Sequence, residues 1–83
     1  MNQSVQIIRQ NIHTNVRRLR KRGHITQEQM AQHIGISRRT YANYENGSHS
    51  MPVDVLVCVA DFFEVPLDTL VAAPEGEPQH AGR

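Results

Sequence analysis

Two segments of this chain, eleven positions apart, repeat one short pattern: an isoleucine, a hydroxyl residue, three polar residues and then a large apolar side chain. Ile25-Thr26-Gln27-Glu28-Gln29-Met30 is the first and Ile36-Ser37-Arg38-Arg39-Thr40-Tyr41 the second. A serine or threonine that accepts a hydrogen bond from an amide two or three residues on starts a helix, and apolar residues on either side of that cap pin the entering chain to the first turn. The pattern therefore predicts two short helices, starting at Gln27 and Arg38, with Gln29 closing a reciprocal capping box on Thr26. Gly35 lies between them, where a left-handed residue ends one helix and leaves Gly35, Ile36 and Ser37 as a three-residue turn. A small residue, Ala31, at the expected crossing and a glycine in the turn also allow close approach of the two helices. Two short helices joined by such a turn describe a helix-turn-helix.

The flanking sequence supplies the rest of an all-α domain. Val5, Ile8, Ile12, Val16 and Leu19 fall at steps of three and four, the period of an amphipathic helix, with Gly23 as its end and either Ser4 as its cap or a start nearer Asn11. Asn46-Gly47 closes the third helix. Pro52 opens a fourth over 52–63 and Pro66 a fifth over 66–72. No segment alternates like a strand. The tail PEGEPQHAGR has nothing to bury, which predicts a single domain over 1–73, a helix-turn-helix at 26–46, and disorder over 74–83.

Charge narrows the function. The formal net charge is only +1, but residues 1–50 hold eight Lys/Arg against two acids, and residues 51–83 hold one against six. A basic half and an acidic half point to a polyanion at one end. The single cysteine, Cys58, excludes an internal disulfide. The longest apolar run, Val55 to Ala60, is far shorter than the roughly 20 residues that span a bilayer, and no secretory signal opens the chain. A cytoplasmic protein without membrane contact is expected. The five histidines show no ligand spacing, so no metal or other cofactor is expected. With no nucleophile or carboxylate constellation either, an enzyme is not expected.

On a helix starting at Arg38, the residues Arg38, Arg39, Ala42 and Asn43 share one face, while Tyr41, Tyr44 and Glu45 lie on the other. Arginine donates a bidentate pair to guanine, asparagine does the same for adenine, and alanine admits a thymine methyl, so this face suits the floor of a DNA major groove. Gln27, through its side chain and its amide, is placed to meet a phosphate, as are Asn46 and the amides of Gly47 and Ser48 at the far end. Arg17, with Arg18, Lys21 and Arg22, adds electrostatic attraction, and Arg17 is the candidate among them for a phosphate contact. On the fourth helix Val53, Leu56, Ala60 and Phe63 form one expected inward stripe. Val55, Cys58 and Phe62, continuing to Val71, form a second, expected at a dimer interface, the alternative being packing against the long N-terminal helix.

The stretch TQEQMAQHIGISRRTYANYENG resembles the helix-turn-helix of the Cro and phage-repressor family, also called the xenobiotic-response-element type. The likeness covers residues 16 to 71, from VRRLR to ADFFEVPLDTL. It implies a five-helix, lambda-repressor-like DNA-binding domain whose recognition helix spans 37–45. It also implies a homodimer on a nearly two-fold symmetric operator, with half-sites about 34–36 Å apart. Family base-reading positions fall on Arg38, Arg39 and Asn43, with Ser37 and Thr40 at the margins, and phosphate positions on Gln27 and Asn46. Arg20 and Glu45 occupy the places of a buried ion pair. Two features depart from the family: the order Gly23-His24-Ile25, where the family sets glycine directly before the apolar residue, and the longer N-terminal stretch. The expected function is a sequence-specific transcriptional regulator, most simply a repressor. The alternatives are a restriction-modification controller or antitoxin that also binds a protein, and an adaptor that has lost DNA binding.

Overall fold

Five helices follow one another in the computed structural model, which describes residues 4–74: α1 (Val5–Arg22), α2 (Gln27–Ile34), α3 (Arg38–Glu45), α4 (Val53–Phe63) and α5 (Leu67–Val71). The expected tail from 74 onwards falls, past its first residue, outside the described residues. No helix among the described residues is long and apolar enough to cross a membrane.

The caps behave as the sequence pattern requires. Thr26 Oγ1 accepts from the Gln29 amide at 3.0 Å while Gln29 Oε1 accepts from the Thr26 amide at 2.8 Å. Ser37 Oγ accepts from the Thr40 amide at 3.0 Å. Each such cap contributes about 1 kcal/mol, which matters for eight-residue helices that would not persist alone. Gly35 ends α2 at φ +91°, and a Cβ placed there would meet nothing within 4 Å. Its glycine is therefore required by backbone conformation, not by the close approach expected from the sequence.

The core gathers Val16 from α1, Met30 and Ala31 from α2, Tyr41 from α3, Val55, Leu56, Val59 and Ala60 from α4, and Leu70 from α5. Helix α4 is rotated relative to the expected stripes. Val53 is 69% exposed whereas Val55 is 8% exposed and in the core. The buried arc runs between the two stripes read from the sequence, because nearly every residue from Val53 to Phe63 is apolar and the period alone cannot fix the phase. Val55, expected at a dimer surface, lies in the core instead.

Two asparagines of α1 hold the end of α5. Asn11 Nδ2 donates to Val71 O at 3.0 Å, and Asn15 Nδ2 donates to both Leu70 O and Ala72 O, at 2.9 and 2.8 Å. These bonds satisfy carbonyls that the last turn of any helix leaves without partners.

The departure at Gly23-His24-Ile25 has a structural counterpart. Gly23 has an ordinary φ of −86°, and the left-handed conformation falls on His24, φ +59°. A side chain in that region costs roughly 1–2 kcal/mol, which glycine escapes, although glycine has more freedom to lose on folding. His24→Gly is therefore expected to stabilise the domain by about 0.5–1 kcal/mol, seen as a rise of a few degrees in the thermal midpoint. A midpoint at or below wild type would show that the His24 conformation is not strained.

Candidate nucleic-acid interface

The position of α3 is set by one buried carboxylate. Glu45, 2% exposed, receives Arg20 Nε at 2.7 Å on Oε2 and Arg20 Nη2 at 2.9 Å on Oε1. Tyr41 Oη donates to Oε2 at 2.7 Å and Gln27 Nε2 to Oε1 at 3.0 Å. Arg20 spends a further donor on Ile25 O at 2.8 Å. One carboxylate thereby joins α1, α2 and α3. Burial pushes the Glu45 carboxyl up, but the hydrogen bonds from Arg20, Gln27 and Tyr41, with the Arg20 charge, together hold it below the ordinary carboxylate range. Burial first, and then its bond to Glu45, push the Tyr41 phenol well above its usual value. The hydrogen bond to Glu45 raises the Arg20 guanidinium further.

With Tyr41 and Glu45 turned inward, the opposite face of α3 is left to solvent. Arg38 and Arg39 are exposed in the first turn, Ser37 is exposed at the cap, and Thr40, Ala42 and Asn43 are half-buried along the helix. Arg38 Nη1 lies 3.5 Å from Gln27 Oε1, at the outer limit of hydrogen bonding. The Arg39 side chain has no hydrogen-bond or ion-pair partner among the described residues. Ser37 Oγ donates to Thr40 Oγ1 at 2.9 Å, so these two hydroxyls are engaged with each other. Arg17 is exposed on α1.

The sequence-derived phosphate positions fare differently. The Gln27 side chain is engaged by Glu45 and faces Arg38, so the group it leaves free is its backbone amide, one of the first-turn donors without an acceptor in the helix. After α3, Gly47 N–H donates to Tyr44 O at 3.3 Å and Ser48 N–H to Asn46 Oδ1 at 2.8 Å. The two loop amides expected to hold a phosphate are therefore already used within the loop, which leaves Asn46 Nδ2 and the Ser48 hydroxyl. Of the residues expected at a dimer contact, Cys58 is exposed, while Phe62 and Val71 are half-buried. Phe62 stacks edge-on between His33 and Phe63, at ring distances of 4.6 and 4.9 Å. No metal-binding cluster occurs among the described residues.

A helix-turn-helix family profile matches residues 16–70, the segment that holds this network and the exposed face above it. The chain belongs to the Cro/C1-type helix-turn-helix family, a family of DNA-binding domains. Among similar proteins, the uncharacterized HTH-type transcriptional regulator YobD of Bacillus subtilis is 39% identical over 56 residues, 68% of this chain and 50% of that protein. The cryptic phage CTXphi transcriptional repressor RstR of Vibrio cholerae is 35% identical over 60 residues, 72% of this chain and 54% of the repressor. The HTH-type transcriptional activator BcrR of Enterococcus faecalis is 32% identical over 60 residues, 72% of this chain and 29% of its own length. The chain thus matches about half the length, or less, of these relatives. No solved structure matches it.

Sequence reasoning passed over Tyr41 as a partner of Glu45, although a tyrosine and a glutamate at i and i+4 on an inward face is a readable pairing. It also passed over Asn11 and Asn15, whose acceptors lie 60 and 55 to 57 residues away. No local signal in the sequence announces those.

Replacing Glu45 by glutamine leaves Arg20 without its counter-charge and is expected to cost about 3–5 kcal/mol, measured by chemical unfolding. Because the Glu45 carboxyl is depressed in the folded state, its contribution is fully present above the ordinary value of 4.5. It is lost as pH falls through the folded value. Wild type is expected to lose stability across that acid range while Glu45→Gln shows a shallower loss. Parallel pH profiles for the two proteins would contradict the assignment.

Proposed function

We propose that this chain represses transcription by binding a nearly two-fold symmetric operator as a homodimer, with α3 in the major groove. The observation that carries the reading is the exposed pair Arg38 and Arg39 in the first turn of α3, above a face anchored by Tyr41 and Glu45. Two arginines at a helix amino end oppose the helix dipole, so an anionic or base partner accounts for them better than folding does. In the proposed complex Arg38, Arg39 and Asn43 read bases, with Ser37 and Thr40 at the margin, each bidentate pair discriminating by about 1–3 kcal/mol. The Gln27 amide, Asn46 Nδ2, the Ser48 hydroxyl and Arg17 meet phosphates. Repression is supported by the likeness to RstR, named a transcriptional repressor.

For the homodimer, the outward side of α4 supplies the surface. Cys58 is exposed there, and Val53 and Val57, one turn apart, are 69% and 48% exposed. A small protein gains by covering such apolar side chains. Val57→Lys is expected to shift the protein toward monomer in sedimentation equilibrium, to weaken operator binding, and to remove the concentration dependence of the thermal midpoint. An unchanged association constant would remove α4 from the interface.

Selection of binding sites from random duplexes, run at two salt concentrations, tests the function directly and is expected to return one inverted-repeat consensus. Arg39→Ala is expected to relax preference at one position of each half-site, whereas Arg17→Gln weakens all duplexes alike and lowers the salt dependence. A wild-type protein that enriches no sequence would remove the operator-reading role.

A further inference from the structure

Helix α1 begins at Val5, well before the family match opens at residue 16, and this leading segment reaches the far end of the recognition helix. Arg9 and His13 stand at i and i+4 and share a face. His13 lies directly on Gly47: a Cβ at Gly47, where φ is +86°, would come within 3.0 Å of His13 Cδ2 and Nε2. Arg9, His13, Tyr44, Gly47 and His49 line one cleft at the carboxyl end of α3. Arg9, His13 and Gly47 continue into a second, beside Gln6 and Gln10. Neither cleft has an acidic lining residue, and the chain has no acid before Glu28. Among the described residues the side chains of Arg9, His13 and His49 form no hydrogen bond or ion pair.

Two observations join this cleft to the proposed reading face. The His49 amide donates to Asn43 O at 3.2 Å, so the loop folds back onto the turn that carries Asn43. The eight residues of α3 span about 12 Å at 1.5 Å per residue, close to the roughly 12 Å width of the major groove. A helix of that length that crosses the groove at an angle, with its first turn over the bases, therefore has its other end within reach of a phosphate ridge. At that end the amides of Gly47, Ser48 and His49 are bonded within the protein, so an anion must be met by side chains.

We propose that Arg9, His13 and His49 form a site for one backbone phosphate of the bound duplex, supplied in part by the segment that precedes the family match. The proposal rests on the DNA-binding reading above and adds a contact outside the helix-turn-helix itself. Such a contact adds affinity for every sequence alike, because phosphates carry no base identity.

The test is duplex binding by the full chain, followed by fluorescence anisotropy over a range of sodium chloride concentrations, with a selected operator and a random duplex. Arg9→Gln is expected to weaken both duplexes by about three- to tenfold and to reduce the slope of log K against log salt by about 0.9, one phosphate contact. Arg9→Lys keeps the charge and should keep the slope. His49→Gln, in an exposed loop position, should weaken both duplexes alike, and circular dichroism melts should match wild type for all three. A slope unchanged in Arg9→Gln, with wild type still preferring its operator, overturns this site and leaves the DNA-reading proposal standing. A loss confined to the operator would make Arg9 a base reader and also overturn the site. Wild-type protein that binds no duplex overturns both.

Discussion

Four donors converge on one buried carboxylate, and the geometry of the whole domain follows from their meeting. Glu45 sits at the carboxyl end of α3, where a negative charge opposes the helix dipole and burial raises the cost of ionisation. It is ionised only because Arg20, Gln27 and Tyr41 supply hydrogen bonds from three helices. A buried ion pair of this sort adds little net stability compared with an apolar replacement, but it is intolerant of losing one member. What it supplies is orientation. Two eight-residue helices with a three-residue turn could pack at several angles through apolar contacts alone, and a carboxylate that must satisfy donors on α1, α2 and α3 at once leaves few of them.

That orientation separates the two faces of α3. Tyr41 and Glu45, at i and i+4, fix the inner side, so Arg38, Arg39 and Asn43 are carried outward by helical geometry rather than by contacts of their own. Gln27 links the two sides: one end of its amide meets Glu45 and the other faces Arg38. The first arginine of the outer face is thus one side chain removed from the buried carboxylate, while Arg39 beside it is free to adapt.

Elements whose determinants are local could be read from the chain. Thr26, Ser37, Gln29 and Gly35 fix the starts and the turn within a few residues, and the structure places those boundaries where the caps require. The polarity of the outer face was equally legible, since residues three and four apart must share a side. The phase of α4 was not, because an almost unbroken apolar run offers two stripes of equal merit and only tertiary packing chooses between them. Nor were the loop amides after Asn46 legible, because whether an amide faces solvent or a neighbouring carbonyl depends on the turn that forms. The role of Glu45 came through resemblance alone; its bond to Tyr41, four residues away on the same face, was readable from spacing, whereas its bond to Gln27, eighteen residues away, needed coordinates.

The clamp of Asn11 and Asn15 on residues 70–72 bears on how the domain comes apart. A five-residue helix has too few internal bonds to persist unaided, so α5 lasts as long as α1 holds its carbonyls and Leu70 stays seated in the core. The turns of α1 that carry Asn11 and Asn15 are therefore coupled to the end of α5, although the two are far apart in the chain. Trimming the amino end past Asn11 would loosen the carboxyl end before it disturbed the helix-turn-helix between them.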